Sequence, residues 1–133
     1  SDAQTTLKDA QLAIKVLLVE DDADVRASTV MLLEALGCEV IEAERAAPVP
    51  DLLRQDDSIE LLISDVVLPG GKNGIELAEE AVRLHPALKV ILVSGHAEGM
   101  LEKAGLKDAG FRLLGKPYTR EALSETLGSV MAQ

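Results

Sequence analysis

Four short segments hold residues whose chemistry invites combination: Glu20-Asp21-Asp22, Asp65, Ser94-Gly95 and Lys116-Pro117. Each stands at the end of a strand-length apolar run: KVLLV, IELLIS with Ser64 at its rim, LKVILVS closing on Ser94 itself, and FRLLG. If Asp65 and one of Glu20 or Asp21 stand about 5 Å apart, their mutual repulsion is roughly 3 kcal/mol at an effective dielectric of about 20. Such a cluster calls for a cation. Hard carboxylate oxygens, few in number and open to water, suit Mg²⁺, which keeps part of its water shell and is held by one or two carboxylates plus a phosphate. Zinc is not served, because His85 and His96 lie apart and Cys38 is the single cysteine. A lysine supplies a point charge for an anion, and a serine hydroxyl a donor for one of its oxygens. A carboxylate nucleophile, a divalent cation, a lysine and a hydroxyl together describe an acceptor of a phosphoryl group.

Bringing these residues together requires a particular arrangement of elements. Apolar runs at 15–19, 38–43, 59–64, 88–94 and 111–115 alternate with helix-period segments at 23–37, 49–55, 74–85, 97–105 and 119–132. In the first of these helices Val25, Thr29, Leu32, Leu33 and Leu36 share a face, and Gly37 stands where a helix closes. Thr119, three residues before Ala122, is an N-cap for the last. Five strands alternating with five helices imply an α/β fold with a parallel sheet covered on both faces. Ligands of such sheets bind beyond the carboxyl ends of the strands, where the strand order reverses.

Composition narrows the function. The 133 residues, 47% hydrophobic, suit one domain with a real core. A formal net charge of −10 repels nucleic acid and anionic membrane surfaces. No apolar run is long enough to span a bilayer, and residues 1–14 have no signal-peptide pattern, so the expectation is a cytoplasmic domain over 15–133 behind a linker or tail at 1–14. Cys38 reads as a small buried hydrophobe.

Each residue also has a plainer reading. Asp65 suits a turn before Pro69-Gly70-Gly71, Ser94-Gly95 an ordinary turn, and Lys116 a solvated position before proline. Asp22 and Asp24 read as negative charge at a helix start, and His85 as the helix end forced by Pro86. His96 stays open between a site role and none.

VLLVEDD, SDVVLPGGKNG, VSGHA and GKPYTREAL occur in an order and spacing that resemble the receiver domains of two-component response regulators, over nearly everything from Lys15 to Met131. The resemblance implies a doubly wound, flavodoxin-like sheet in the order 2-1-3-4-5. It implies that Asp65 is phosphorylated, and that Glu20 and Asp21 form the acidic pair for Mg²⁺ (Mn²⁺ substituting), joined by Asp65 and the backbone carbonyl of Val67. Ser94 and Lys116 then engage the phosphoryl oxygens, and the donor is a phosphohistidine of a sensor histidine kinase or histidine phosphotransfer domain. A cis peptide bond is implied between Lys116 and Pro117.

Some features depart from the family pattern. The loop GGKN is one residue longer than in many receivers, and Leu113 occupies the position where many place a Tyr or Phe. Pro48 and Pro50 should shorten the second helix. The segment 97–105, with Gly99 and Gly105, should be the least stable helix. The double-glycine loop, SGHAEGMLEKAG and the close at the last helix look like receivers of hybrid sensor histidine kinases, which leaves a stand-alone receiver as the alternative. A haloacid dehalogenase-type phosphatase would want a second Asp where Val67 stands; a flavodoxin would want a phosphate loop where Glu20-Asp21-Asp22 repels one. A receiver-like interaction module that is never phosphorylated is the remaining, non-catalytic alternative.

Overall fold

The computed structural model describes residues 13–71, 73–95 and 110–132. Five parallel strands form one sheet in the order β2-β1-β3-β4-β5: β1 (Lys15–Val19), β2 (Glu39–Ala43), β3 (Leu61–Asp65), β4 (Lys89–Ser94) and β5 (Arg112–Gly115). The helices are α1 (Ala23–Ala35), α2 (Val49–Gln55), α3 (Gly74–Leu84) and α4 (Arg120–Met131), with a 3₁₀ turn at Pro69–Gly71. The flavodoxin-like fold expected from the sequence is present. The expected helix at 97–105 and His96 lie outside the described residues, as does nearly all of the expected tail.

Strand residues alternate between two apolar layers, as period-two geometry requires. Leu17, Val19, Leu62, Val90 and Leu92 pack with Val49 and Leu53 of α2 and Leu77, Ala78 and Ala81 of α3. Val16, Leu18, Leu61, Ile63, Ile91 and Val93 face the other way, onto Leu33 of α1 and Leu123, Leu127 and Val130 of α4. Both faces are covered, which explains why these strands read as continuous apolar runs.

The helix ends carry their own instructions. Asp22 caps α1, accepting from the backbone N–H groups of Asp24 and Val25, so its negative charge serves the helix start as expected. At the other end Gly37 has a φ of 95°. Its N–H donates to Glu34 O and that of Cys38 to Leu33 O, the paired bonds of a Schellman motif. Thr119 caps α4 through the N–H of Ala122, and Asn73 caps α3 through that of Glu76. The second helix is short, seven residues with Pro50 in its first turn. Among the described residues no helix is long and apolar enough to cross a membrane.

Candidate phosphoacceptor site

The reversal in strand order lies between β1 and β3, and both deliver acid there. Backbone pairing runs one residue past the strand ends: Glu20 N donates to Ala43 O at 3.0 Å, Val66 N to Val93 O at 3.0 Å and Lys116 N to Ser94 O at 2.9 Å. Glu20, Asp65, Ser94 and Lys116 are therefore placed by the sheet's own register. With Asp21 and Val67 they line one open cavity of about 350 Å³.

Asp65 and Glu20 are buried, at 7% and 4% exposure, whereas Asp21 is exposed. One carboxylate oxygen from each of Glu20, Asp21 and Asp65 lies within 4.8 Å of the other two. The Lys116 ammonium sits between two of them, donating to Asp65 Oδ1 at 2.8 Å and to Glu20 Oε1 at 3.0 Å. The second Glu20 oxygen accepts from Asp22 N at 3.1 Å. The Lys116–Pro117 bond is cis.

This crowding divides the charge unequally. Burial, then the Glu20 carboxylate beside it, pushes Asp65 up to about 7 against the pull of Lys116. Burial works the same way on Glu20, but hydrogen bonds from Asp65, the Asp22 backbone and Lys116 outweigh it and hold Glu20 low. Without a metal, Asp65 is thus the member of the pair that keeps the proton. For Lys116 burial is again outweighed, by its bonds to Asp65 and Glu20, and its ammonium is raised to about 12.

The sequence reading placed Ser64 at the rim. It is fully buried, and its hydroxyl donates to Asp65 O at 2.9 Å. A hydroxyl that bonds the local backbone costs little to bury, which is why a polar residue could stand inside an apolar strand. Three contributors escaped the sequence reading. Gly74 packs against the Asp65 backbone, and its N–H donates to Val66 O at 2.6 Å; the Asn-Gly pair before an amphipathic run was its signal. Arg26 donates to Glu20 O at 2.8 Å. Tyr118, the only tyrosine, shares a 2.5 Å hydrogen bond with the buried Thr29 of α1.

A family model for the response regulator receiver domain matches residues 16–128. The chain belongs to that family. The receiver is 33% identical over 117 residues to the sensor kinase CckA of Brucella abortus, covering 87% of this chain and 12% of that protein. It is 34% identical over 104 residues to the response regulator receiver protein CpdR of the same organism, covering 78% of this chain and 85% of that one. Among solved structures, the receiver domain of the hybrid histidine kinase CckA superposes with a TM-score of 0.71 at 30% identity, over 88% of this chain and 98% of that one. A receiver domain protein from Clostridium thermocellum gives 0.79 at 27% identity, over 90% and 94%.

Proposed function

We propose that this receiver takes a phosphoryl group onto Asp65 from a phosphohistidine, as part of a phosphorelay. The observation that carries the reading is the Lys116 ammonium, 2.8 Å from Asp65 and 3.0 Å from Glu20 at adjoining strand ends. An Asp65 oxygen attacks phosphorus, the P–N bond to the donor imidazole breaks, and its electron pair returns to the ring nitrogen, which takes a proton. Lys116 neutralises an oxygen of the transferred group, and Ser94, lining the same cavity, donates to another.

Receiver domains bind Mg²⁺ at an acidic pocket, and the donors here fit it: three carboxylates, all hard oxygen, gathered within 4.8 Å. Glu20, Asp21, Asp65 and the Val67 carbonyl would hold the ion, which supplies positive charge against the carboxylates and the phosphoryl oxygens. Mn²⁺ would substitute.

The donor is a sensor histidine kinase or a histidine phosphotransfer domain. An apolar groove of about 500 Å³ beside the site, lined by Val25, Leu32, Pro117 and Tyr118 among others, offers a helix carrying the phosphohistidine a seat at the correct edge. A net charge of −10 argues against direct nucleic-acid contact, and a cytoplasmic location follows from the same reading. The likeness to CckA supports the receiver part of a hybrid sensor histidine kinase. CpdR, nearly all of whose length is matched, supports a stand-alone receiver as the second reading.

Incubation with a small-molecule phosphodonor and Mg²⁺ tests the proposal. It should add one phosphoryl group to the wild type and none to Asp65→Asn. Equal labelling of both, or labelling unaffected by EDTA, would remove the assignment.

A further inference from the structure

Asp21 differs from the other acids of the cluster. Among the described residues no hydrogen bond or ion pair of its own holds its exposed carboxylate, while Glu20 and Asp65 are fixed by Lys116. Its position depends on the backbone that carries it. The peptide group joining Glu20 to Asp21 is held from one side by Arg26, whose Nη1 donates to Glu20 O at 2.8 Å. The other end of the turn is locked where Asp22 caps α1 and Arg26 N donates to Asp22 O at 2.8 Å. The Arg26 guanidinium is itself oriented by carboxylates at and beyond the end of β2: Nε lies 3.3 Å from Glu42 Oε1 and Nη2 3.7 Å from Glu44 Oε1. Its side chain is only 15% exposed.

We infer that Arg26 is a positioning residue for the metal site, holding the β1–α1 turn so that Asp21 presents its carboxylate at the geometry a divalent cation requires. The inference rests on reading Glu20, Asp21 and Asp65 as that site. A planar fork suits the task, because one group reaches the Glu20 carbonyl and the carboxylates of Glu42 and Glu44 together. Glu42 and Glu44 also neutralise a cation that would otherwise oppose the binding of another.

Charge and positioning predict opposite signs. Removing a nearby cation tightens Mg²⁺ binding if only the field matters. Loss of an outer support that orients a ligand weakens it, by about tenfold. The experiment is Mg²⁺ titration of the wild type, Arg26→Met and Arg26→Lys, followed by NMR at a temperature where thermal melts show all three folded. Phosphorylation by a small-molecule donor is then measured against Mg²⁺ concentration. Both variants should bind Mg²⁺ about tenfold more weakly. Their phosphorylation should need correspondingly more Mg²⁺ yet reach a rate near that of the wild type at saturation. Arg26→Lys keeps the charge and folds with the least disturbance, so it carries the test if Arg26→Met is unstable. Unchanged or tighter binding in Arg26→Lys, or a rate deficit that saturating Mg²⁺ leaves in place, would overturn the inference. A wild type that binds no Mg²⁺ would instead overturn the reading beneath it.

Discussion

Gly74 lies so close to Asp65 that a β-carbon added to it would stand 1.9 Å from the Asp65 carbonyl oxygen. The first residue of α3 thereby buttresses the end of β3, where the Asp65 side chain leaves the sheet. The neighbouring contact at that ideal position is also backbone, 2.9 Å to the Asp65 carbonyl carbon, so no side chain can swing away to make room.

Gly74→Ala should therefore destabilise the receiver by about 1–3 kcal/mol, the range for overpacking a closed site. Helix propensity alone would favour alanine by nearly 1 kcal/mol, so the sign of the measured change separates the two effects. Urea unfolding gives that sign. Because the displaced atoms belong to Asp65, phosphorylation should fall in the same variant under conditions where it is folded.

The unequal titration of the acidic pair predicts an unusual pH dependence. The folded chain holds the Asp65 proton up to about 7, while an unfolded chain releases it near 4. Between these values the unfolded state has lost a proton that the folded state retains, so stability falls as pH rises and stays lower above the window. Asp65→Asn removes this penalty. In EDTA, the variant should exceed the wild type by about 1–3 kcal/mol at pH 8 and by much less at pH 4. Denaturant midpoints at the two pH values test it; equal differences at both would contradict the assignment.

Lys116 occupies the oxygens that a metal would share, so it competes as well as assists. Lys116→Met should strengthen Mg²⁺ binding by about 1 kcal/mol, roughly fivefold in affinity, while sharply slowing phosphoryl uptake. A titration showing weaker binding would mean that the ammonium organises the carboxylates more than it opposes the ion.

The hydrogen bond between Thr29 and Tyr118 ties α1 to the corner that follows Lys116. Tyr118→Phe and Thr29→Val should each cost about 1 kcal/mol, because each leaves the other hydroxyl without its partner. The double variant should cost less than the sum of the two single changes. Additive losses in a double-mutant cycle would show that the pair contributes no coupling.

Most of the fold was legible because apolar runs and helix periods are local signals. Asp65, Glu20, Ser94 and Lys116 were legible because each closes or directly follows such a run, and the parallel register then brings those ends to one edge. Asn73 and Thr119 both cap helices, yet only Thr119 stood out, since Asn73 was read within a loop of glycines. Arg26 and Tyr118 were out of reach for a different reason. Tyr118 meets Thr29 through the packing of α1 against a segment 89 residues away, and Arg26 meets the Glu20 carbonyl across a turn six residues long whose shape no pattern of side chains records. Ser64 shows the reverse error: its polarity suggested the rim, while a bond to the next carbonyl allowed it inside.

The Schellman close of α1 seals the only cysteine under it. Cys38 is buried, and burial, more than the nearby Glu60, pushes its thiol up to about 11. In the native state it is both shielded and almost wholly protonated, so a thiol reagent can reach it only when the corner between α1 and β2 opens. The domain thus contains a chemical clock: the rate at which excess reagent modifies this one sulfur counts how often that corner opens, with no added label and no second thiol to confuse the signal.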